Sequence, residues 1–168
     1  MKIIFSIILC FCFINITFAS DTKNSLINSI THLNPKITPD IKEKIVNAVI
    51  ISEKRFNIPP LLIICLIKEE SNFNPEAHNR FGATGLMQVI PRYHQDFIVL
   101  NGWKQEDLFN VSNNVTLGTS ILKKYLKQKD GDIVKALEKY VGASESNHCK
   151  RYIRNILSNY INLQIKYF

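Results

Sequence analysis

The sequence predicts an all-α fold of five to seven helices with little or no sheet. Three observations lead there. Apolar residues recur at three- and four-residue spacing in several segments, the period of a helix with one buried face. Helix starts and stops bracket those segments: Thr38-Pro39, Pro59-Pro60 and Asp130-Gly131-Asp132. No stretch carries the apolar–polar alternation of a half-buried strand.

The chain opens with a positive Met1-Lys2, an almost wholly apolar Ile3–Ile16 and a small-residue Thr17-Phe18-Ala19. That order predicts a signal peptide over 1–19, cleaved after Ala19. An uncleaved anchor is the alternative, but the run is shorter than the roughly 20 residues a span needs. Bulky Leu9 before Cys10 argues against lipidation there. Residues 20–37 have no clean period and are expected as a flexible lead-in to one domain over 38–168. Within that domain Thr38 caps and Pro39 opens a helix, and Ile41, Ile45, Val46, Val49 and Ile50 mark its inner face to about Arg55. Pro60 opens a second helix to about Glu70, apolar all round and therefore buried. Asn72, Asn74-Pro75, Asn79, Gly82 and Gly85 make residues 72–85 a loop. A short helix follows Pro91. Ser112 is expected to cap Asn113–Lys129, Asp132 to cap Ile133–Tyr140, and a last helix to run from about Asn147 to Asn162.

At 168 residues, with 46% hydrophobic and 21% charged content, the chain can bury an ordinary core. A net charge of +7 fits an acidic polymer as partner, or a lysine-rich solvated surface; both stay open. The lysines are scattered and no stretch resembles a nucleic-acid module, so no nucleic-acid partner is expected. His32, His78, His94 and His148 lack metal-ligand spacing. There is no phosphate-binding glycine loop and no G-x-S-x-G turn, so neither metal nor cofactor is expected. Cys65 and Cys149 would remain after signal cleavage. A secretory compartment permits their pairing, while Cys65 inside an apolar run equally fits a buried thiol.

The chemistry concentrates where seven apolar residues, Leu61–Ile67, give way to Glu69-Glu70-Ser71. A carboxyl at the end of a buried helix is desolvated, sits at the negative end of the helix dipole and has a like charge beside it. All three effects favour the protonated form near neutral pH, which a general acid requires. The plain alternative is a solvated helix end.

Further residues carry a resemblance. Glu70-Ser71-x-Phe73-Asn74-Pro75, Ala77, Gly82-Ala83-x-Gly85-Leu86-Met87-Gln88 and Pro91 resemble the soluble lytic transglycosylase (SLT) domain, whose fold is lysozyme-like, of the goose type. Downstream, Leu108-Phe109, Asn114-Val115-x-x-Gly118-x-x-x-Leu122, Ala136-x-x-x-Tyr140-x-Gly142 and Tyr152-Ile153-x-x-Ile156-Leu157 continue it, over roughly residues 55–160. The resemblance selects Glu70 over Glu69, because the family's acid directly precedes the serine. It implies cleavage of the β-1,4 bond between N-acetylmuramic acid and N-acetylglucosamine in peptidoglycan. Glu70 would protonate the glycosidic oxygen, then act as base toward the muramoyl C6 hydroxyl, leaving a 1,6-anhydromuramoyl end.

Around Glu70 the expected substrate-side residues are Met87, Gln88, Tyr140, Ser71 and Gly85. Met87 offers a soft apolar surface and Gln88 a donor–acceptor fork. Tyr140 is expected to orient Glu70, Ser71 to brace its loop, and Gly82 and Gly85 to admit close glycan approach. Core packing or loop bracing is the alternative for each. The chain departs from the family at Asn79, at Val141 and at His148, where the family often has Ser, Asn and Glu. The resemblance implies peptidoglycan glycan strands as partner and a periplasmic or envelope location without a stable membrane span after signal cleavage. Two further readings stay open: a lysozyme-type hydrolase on the same fold, and a wall-binding protein of an envelope-spanning secretion machine with little activity.

Overall fold

A computed structural model describes residues 21–142 and 146–168. The expected signal peptide, with Cys10 and Cys12, lies outside them. Residues 20–37 were expected as a flexible lead-in; residues 21–33 instead form a helix, α1. Leu26 and Ile30 on it are fully buried, with Ile27 and Leu33 packed beside them. One narrow apolar stripe is enough because other elements tie the helix down. Lys42 Nζ donates to Thr31 Oγ1 at 3.0 Å, Lys23 pairs with Glu43 at 2.8 Å, and the His32 ring meets the Tyr167 ring edge-on at 6.3 Å.

Helix α2 (Pro39–Phe56) starts as the sequence predicts, with Thr38 Oγ1 accepting from the Ile41 amide. Asn57 ends it in the left-handed region at φ 52°. Helix α3 (Pro60–Ser71) follows, and every residue from Leu61 to Ile67 is buried. Helix α4 (Gln95–Leu100) lies between two 3₁₀ turns, Pro91–Tyr93 and Gln105–Phe109. Helix α5 (Val111–Gln128) is capped by Asn110, not Ser112: Asn110 Oδ1 accepts from the amides of Ser112 at 2.9 Å and Asn113 at 3.2 Å. Asparagine and serine cap about equally well, and the earlier start lets Val111 pack against the core. Helix α6 (Ile133–Val141) is capped by Asp132 as expected. Helix α7 (Asn147–Tyr167) outruns its expected end because Leu163 is buried and Tyr167 reaches α1.

The helices meet in a closed circuit: α2 on α3, α3 on α7, α7 on α6, α6 on α5 and α5 back on α2. This circuit explains why α3 has no polar face over its first two turns. Among the described residues there is no strand; two isolated antiparallel bridges, His78 with Thr84 and Thr84 with Val89, fold the 72–90 loop on itself. Cys65 and Cys149 are both buried and free.

Candidate active site

Helix α3 stops abruptly. Asn72 and Phe73 both take left-handed backbone, at φ 51° and 67°, and turn the chain away just after Glu70. For a residue as large as Phe this conformation is strained, and complete burial of the Phe73 ring holds it there. Glu70 is thereby left at the base of a cavity of about 430 Å³, partly exposed, facing loop residues Asn79 and Gln88 and the α6–α7 residues Tyr140, His148, Arg151 and Tyr152.

Desolvation pushes the Glu70 carboxyl up from an ordinary 4.5 to about 7. The Tyr152 hydroxyl, donating to Glu70 Oε1, pulls the other way, and the neighbouring Glu69 charge adds a smaller rise. Glu70 therefore exchanges its proton near neutral pH. Glu69 lines the same cavity but is held sideways, its Oε2 accepting from Asn155 Nδ2 at 3.1 Å. Among the described residues no three His, Cys, Asp or Glu side chains gather as a metal-ligating group.

The tyrosine on Glu70 is thus Tyr152, not Tyr140. The Tyr140 hydroxyl donates instead to the Met87 carbonyl at 3.0 Å, although its ring still lines the cavity. Met87 corrects a second expectation. It is fully buried, so it offers no surface to a sugar. Its side chain lies against Gly118 of α5, where an added Cβ would come within 2.5 Å of Sδ. Gly85 likewise serves packing: a Cβ there would meet Asn114 Nδ2 at 2.3 Å, and its φ of 73° favours glycine. Gln88 stands on the cavity wall, but its Nε2 is committed to the carbonyls of Ala77 at 3.1 Å and Gly85 at 3.0 Å. Only its Oε1, 3.4 Å from Asn79 Nδ2, faces a residue that also lines the cavity. Ser71 braces the helix end, donating to the Ile67 carbonyl at 3.3 Å, and does not line the cavity.

Two roles were not assigned from sequence. Asn114, buried on α5, accepts from the Met87 amide at 2.7 Å and donates to the carbonyls of Thr84 and Leu108, each at 2.8 Å. A polar residue inside the apolar face Val115, Leu117, Gly118 and Ile121 was the available signal. Arg151 brings a cation to the cavity, with His148 at its exposed rim; its neighbour Tyr152 was legible only as part of the resembling run Tyr152-Ile153-x-x-Ile156-Leu157.

Comparisons with known proteins bear on the family and the fold. The family model described as the transglycosylase SLT domain matches residues 47–156. Over 74 residues the chain is 42% identical to membrane-bound lytic murein transglycosylase C of Actinobacillus pleuropneumoniae, covering 41% of this chain and 20% of the relative. The protein of the same name from Yersinia pestis is 36% identical over 76 residues, 42% of this chain and 21% of that one. The chain therefore spans about a fifth of the length of these curated relatives. The X-ray structure of an inactive mutant of lytic transglycosylase Slt from Pseudomonas aeruginosa superposes with a TM-score of 0.64 at 20% identity, over 71% of this chain and 24% of that one. That likeness shows a shared lysozyme-like fold. With most of the described helices inside the matched span, the chain belongs to the transglycosylase SLT domain family.

Proposed function

We propose that this chain is a peptidoglycan lytic transglycosylase with Glu70 as its acid and base. The observation that carries the reading is a carboxyl at the base of a cleft, with one oxygen held by Tyr152, which burial pushes up to about 7. In its protonated form Glu70 gives its proton to the glycosidic oxygen as the bond to the muramoyl anomeric carbon breaks. The carboxylate left behind takes the proton of the muramoyl C6 hydroxyl, whose oxygen bonds to that carbon. One proton leaves Glu70 and one returns, and no water is consumed. Glycosidases that use two carboxylates place them on opposite sides of the scissile bond. Glu69 is adjacent to Glu70 on one helix and is turned to Asn155, so it does not supply that arrangement.

The relatives are named as membrane-bound murein enzymes, which supports an envelope location. The signal peptide over 1–19 refines this to export and periplasmic work. Among the described residues no helix is long and apolar enough to cross a membrane. The basic charge of +7 suits an anionic wall. An envelope-spanning secretion machine as partner completes the reading, and co-purification from cross-linked envelopes tests it.

Digestion of purified peptidoglycan with product mass spectrometry tests the reaction. Anhydromuramoyl ends are expected from the wild type and none from Glu70→Gln. Reducing muramic ends would make the enzyme a hydrolase. Absence of any product alongside tight wall binding would make it an assembly protein.

A further inference from the structure

Helix α7 has two faces with different surroundings. Cys149, Tyr152, Ile156 and Leu163 are buried against the core. On the opposite face Lys150, Arg154, Leu157, Ile161, Ile165 and the capping Phe168 follow one another at three- and four-residue spacing, so they form one stripe. The stripe changes character along its length. Its first half is cationic. Its second half is apolar and open to solvent: Ile161 is 55% exposed, Ile165 81% and Phe168 55%. Apolar residues exposed singly are ordinary on a folded surface. Three in register on one face mark a contact surface.

The charges narrow the occupant. Helix α7 carries Lys150, Arg151, Arg154 and Lys166 and no Asp or Glu. Among the described residues neither Lys150 nor Arg154 has an ion-pair partner. A second copy laid stripe to stripe brings the same cations and no counter-charge from its own α7. A neutral apolar partner covers Ile161, Ile165 and Phe168 but leaves both cations unanswered. An anionic lipid surface answers both halves: its headgroups meet the cations, and the boundary with the acyl chains takes the apolar residues. Among the described residues no helix is long and apolar enough to cross a membrane, so α7 lies on such a surface instead of spanning it.

We propose that the outer stripe of α7 is a docking surface for an anionic membrane. The docking rests on the envelope location inferred above and is independent of the reaction. It is compatible with an open cleft. Tyr152, which holds Glu70, is on the buried face of the same helix, opposite the stripe. Glu70 therefore stands on the far side of α7 from the lipid, about one helix diameter, roughly 10 Å, away. A docked protein thus keeps its cleft clear of the membrane and works on strands that run close above it.

Co-sedimentation with vesicles tests this. The exported protein is mixed with vesicles of phosphatidylcholine alone and of phosphatidylcholine with phosphatidylglycerol. Binding to the anionic vesicles is expected to exceed binding to the neutral ones by about tenfold or more at low salt, and to weaken in high salt. Ile161→Ser with Ile165→Ser removes the apolar half, and Lys150→Ala with Arg154→Ala the cationic half. Each double variant should lose about tenfold in binding to the anionic vesicles while cleaving isolated glycan strands at the wild-type rate, since none of the four residues lines the Glu70 cavity. No binding by the wild type, equal binding to both vesicles, or binding that both variants retain overturns the proposal. So does a wild type that light scattering shows to be a dimer and the serine variant a monomer, because the stripe is then covered by a second copy. A protein that binds vesicles in this pattern but releases no wall product sinks the enzymatic reading and leaves the docking surface standing.

Discussion

Glu70→Gln separates a buried functional acid from an ordinary surface carboxylate by its effect on stability. Below pH 4.5 the carboxyl is protonated in both folded and unfolded chains and contributes nothing. Between 4.5 and about 7 the unfolded chain releases the proton while the folded chain keeps it, so stability falls as pH rises. Above about 7 the full penalty is present. At about 1.4 kcal/mol for each pH unit, the rise from 4.5 to about 7 amounts to about 3 kcal/mol. Glutamine has the same shape, is neutral at every pH and still accepts from Tyr152. The variant should therefore match the wild type at pH 4 and exceed it by about 3 kcal/mol at pH 8, roughly 6–12 °C in melting temperature for a domain of this size. Its wall-cleaving rate should fall by about 10²–10⁴. Urea denaturation at the two pH values, with turnover on the same samples, measures both. Equal stability at pH 8, or a difference identical at pH 4 and pH 8, would show that the fold does not hold Glu70 protonated.

Tyr152→Phe removes the group that pulls the Glu70 carboxyl down, so the alkaline limb of the pH–rate profile should move up by about one pH unit; a limb that stays or moves down contradicts the role given to Tyr152. Asn114→Ala breaks three buried hydrogen bonds, two to the 84–88 turn and one to the Leu108 carbonyl, and should cost about 3 kcal/mol or more in urea denaturation. Gly118→Ala would stabilise an ordinary helix interior by about 1 kcal/mol. Here the contact with Met87 should reverse the sign to a loss of about 1–3 kcal/mol, read from the denaturation midpoint.

Much of the fold was legible because its signals are local. Thr38 and Pro39 sit where a helix starts, Asp132 caps α6, and seven consecutive apolar residues on α3 demand burial on every side. The acidic pair Glu69-Glu70 was legible for the same reason, at the end of such a run, and the family resemblance supplied the choice of Glu70. The errors share the opposite character. Which tyrosine reaches Glu70 depends on how α7 crosses α3, a contact between positions 82 residues apart. Whether Met87 faces a sugar or the core depends on Gly118, a full helix away. The lead-in became a helix because its short apolar stripe, Leu26, Ile30 and Leu33, is reinforced by ties that lie far off in sequence, such as His32 to Tyr167.

Met87 has a larger consequence than its burial suggests. Its amide is held by Asn114, its carbonyl by Tyr140 and its sulfur lies 3.9 Å from Thr119 Oγ1. The wall that bears Gln88 is therefore bolted from behind by Asn114 and Thr119, both buried, and braced from the cavity side by Tyr140. Cleft width becomes a property that evolution or an engineer adjusts from inside the helix bundle. Swaps of volume at 114, 118 and 119 should retune which strands fit while the reacting residues stay as they are.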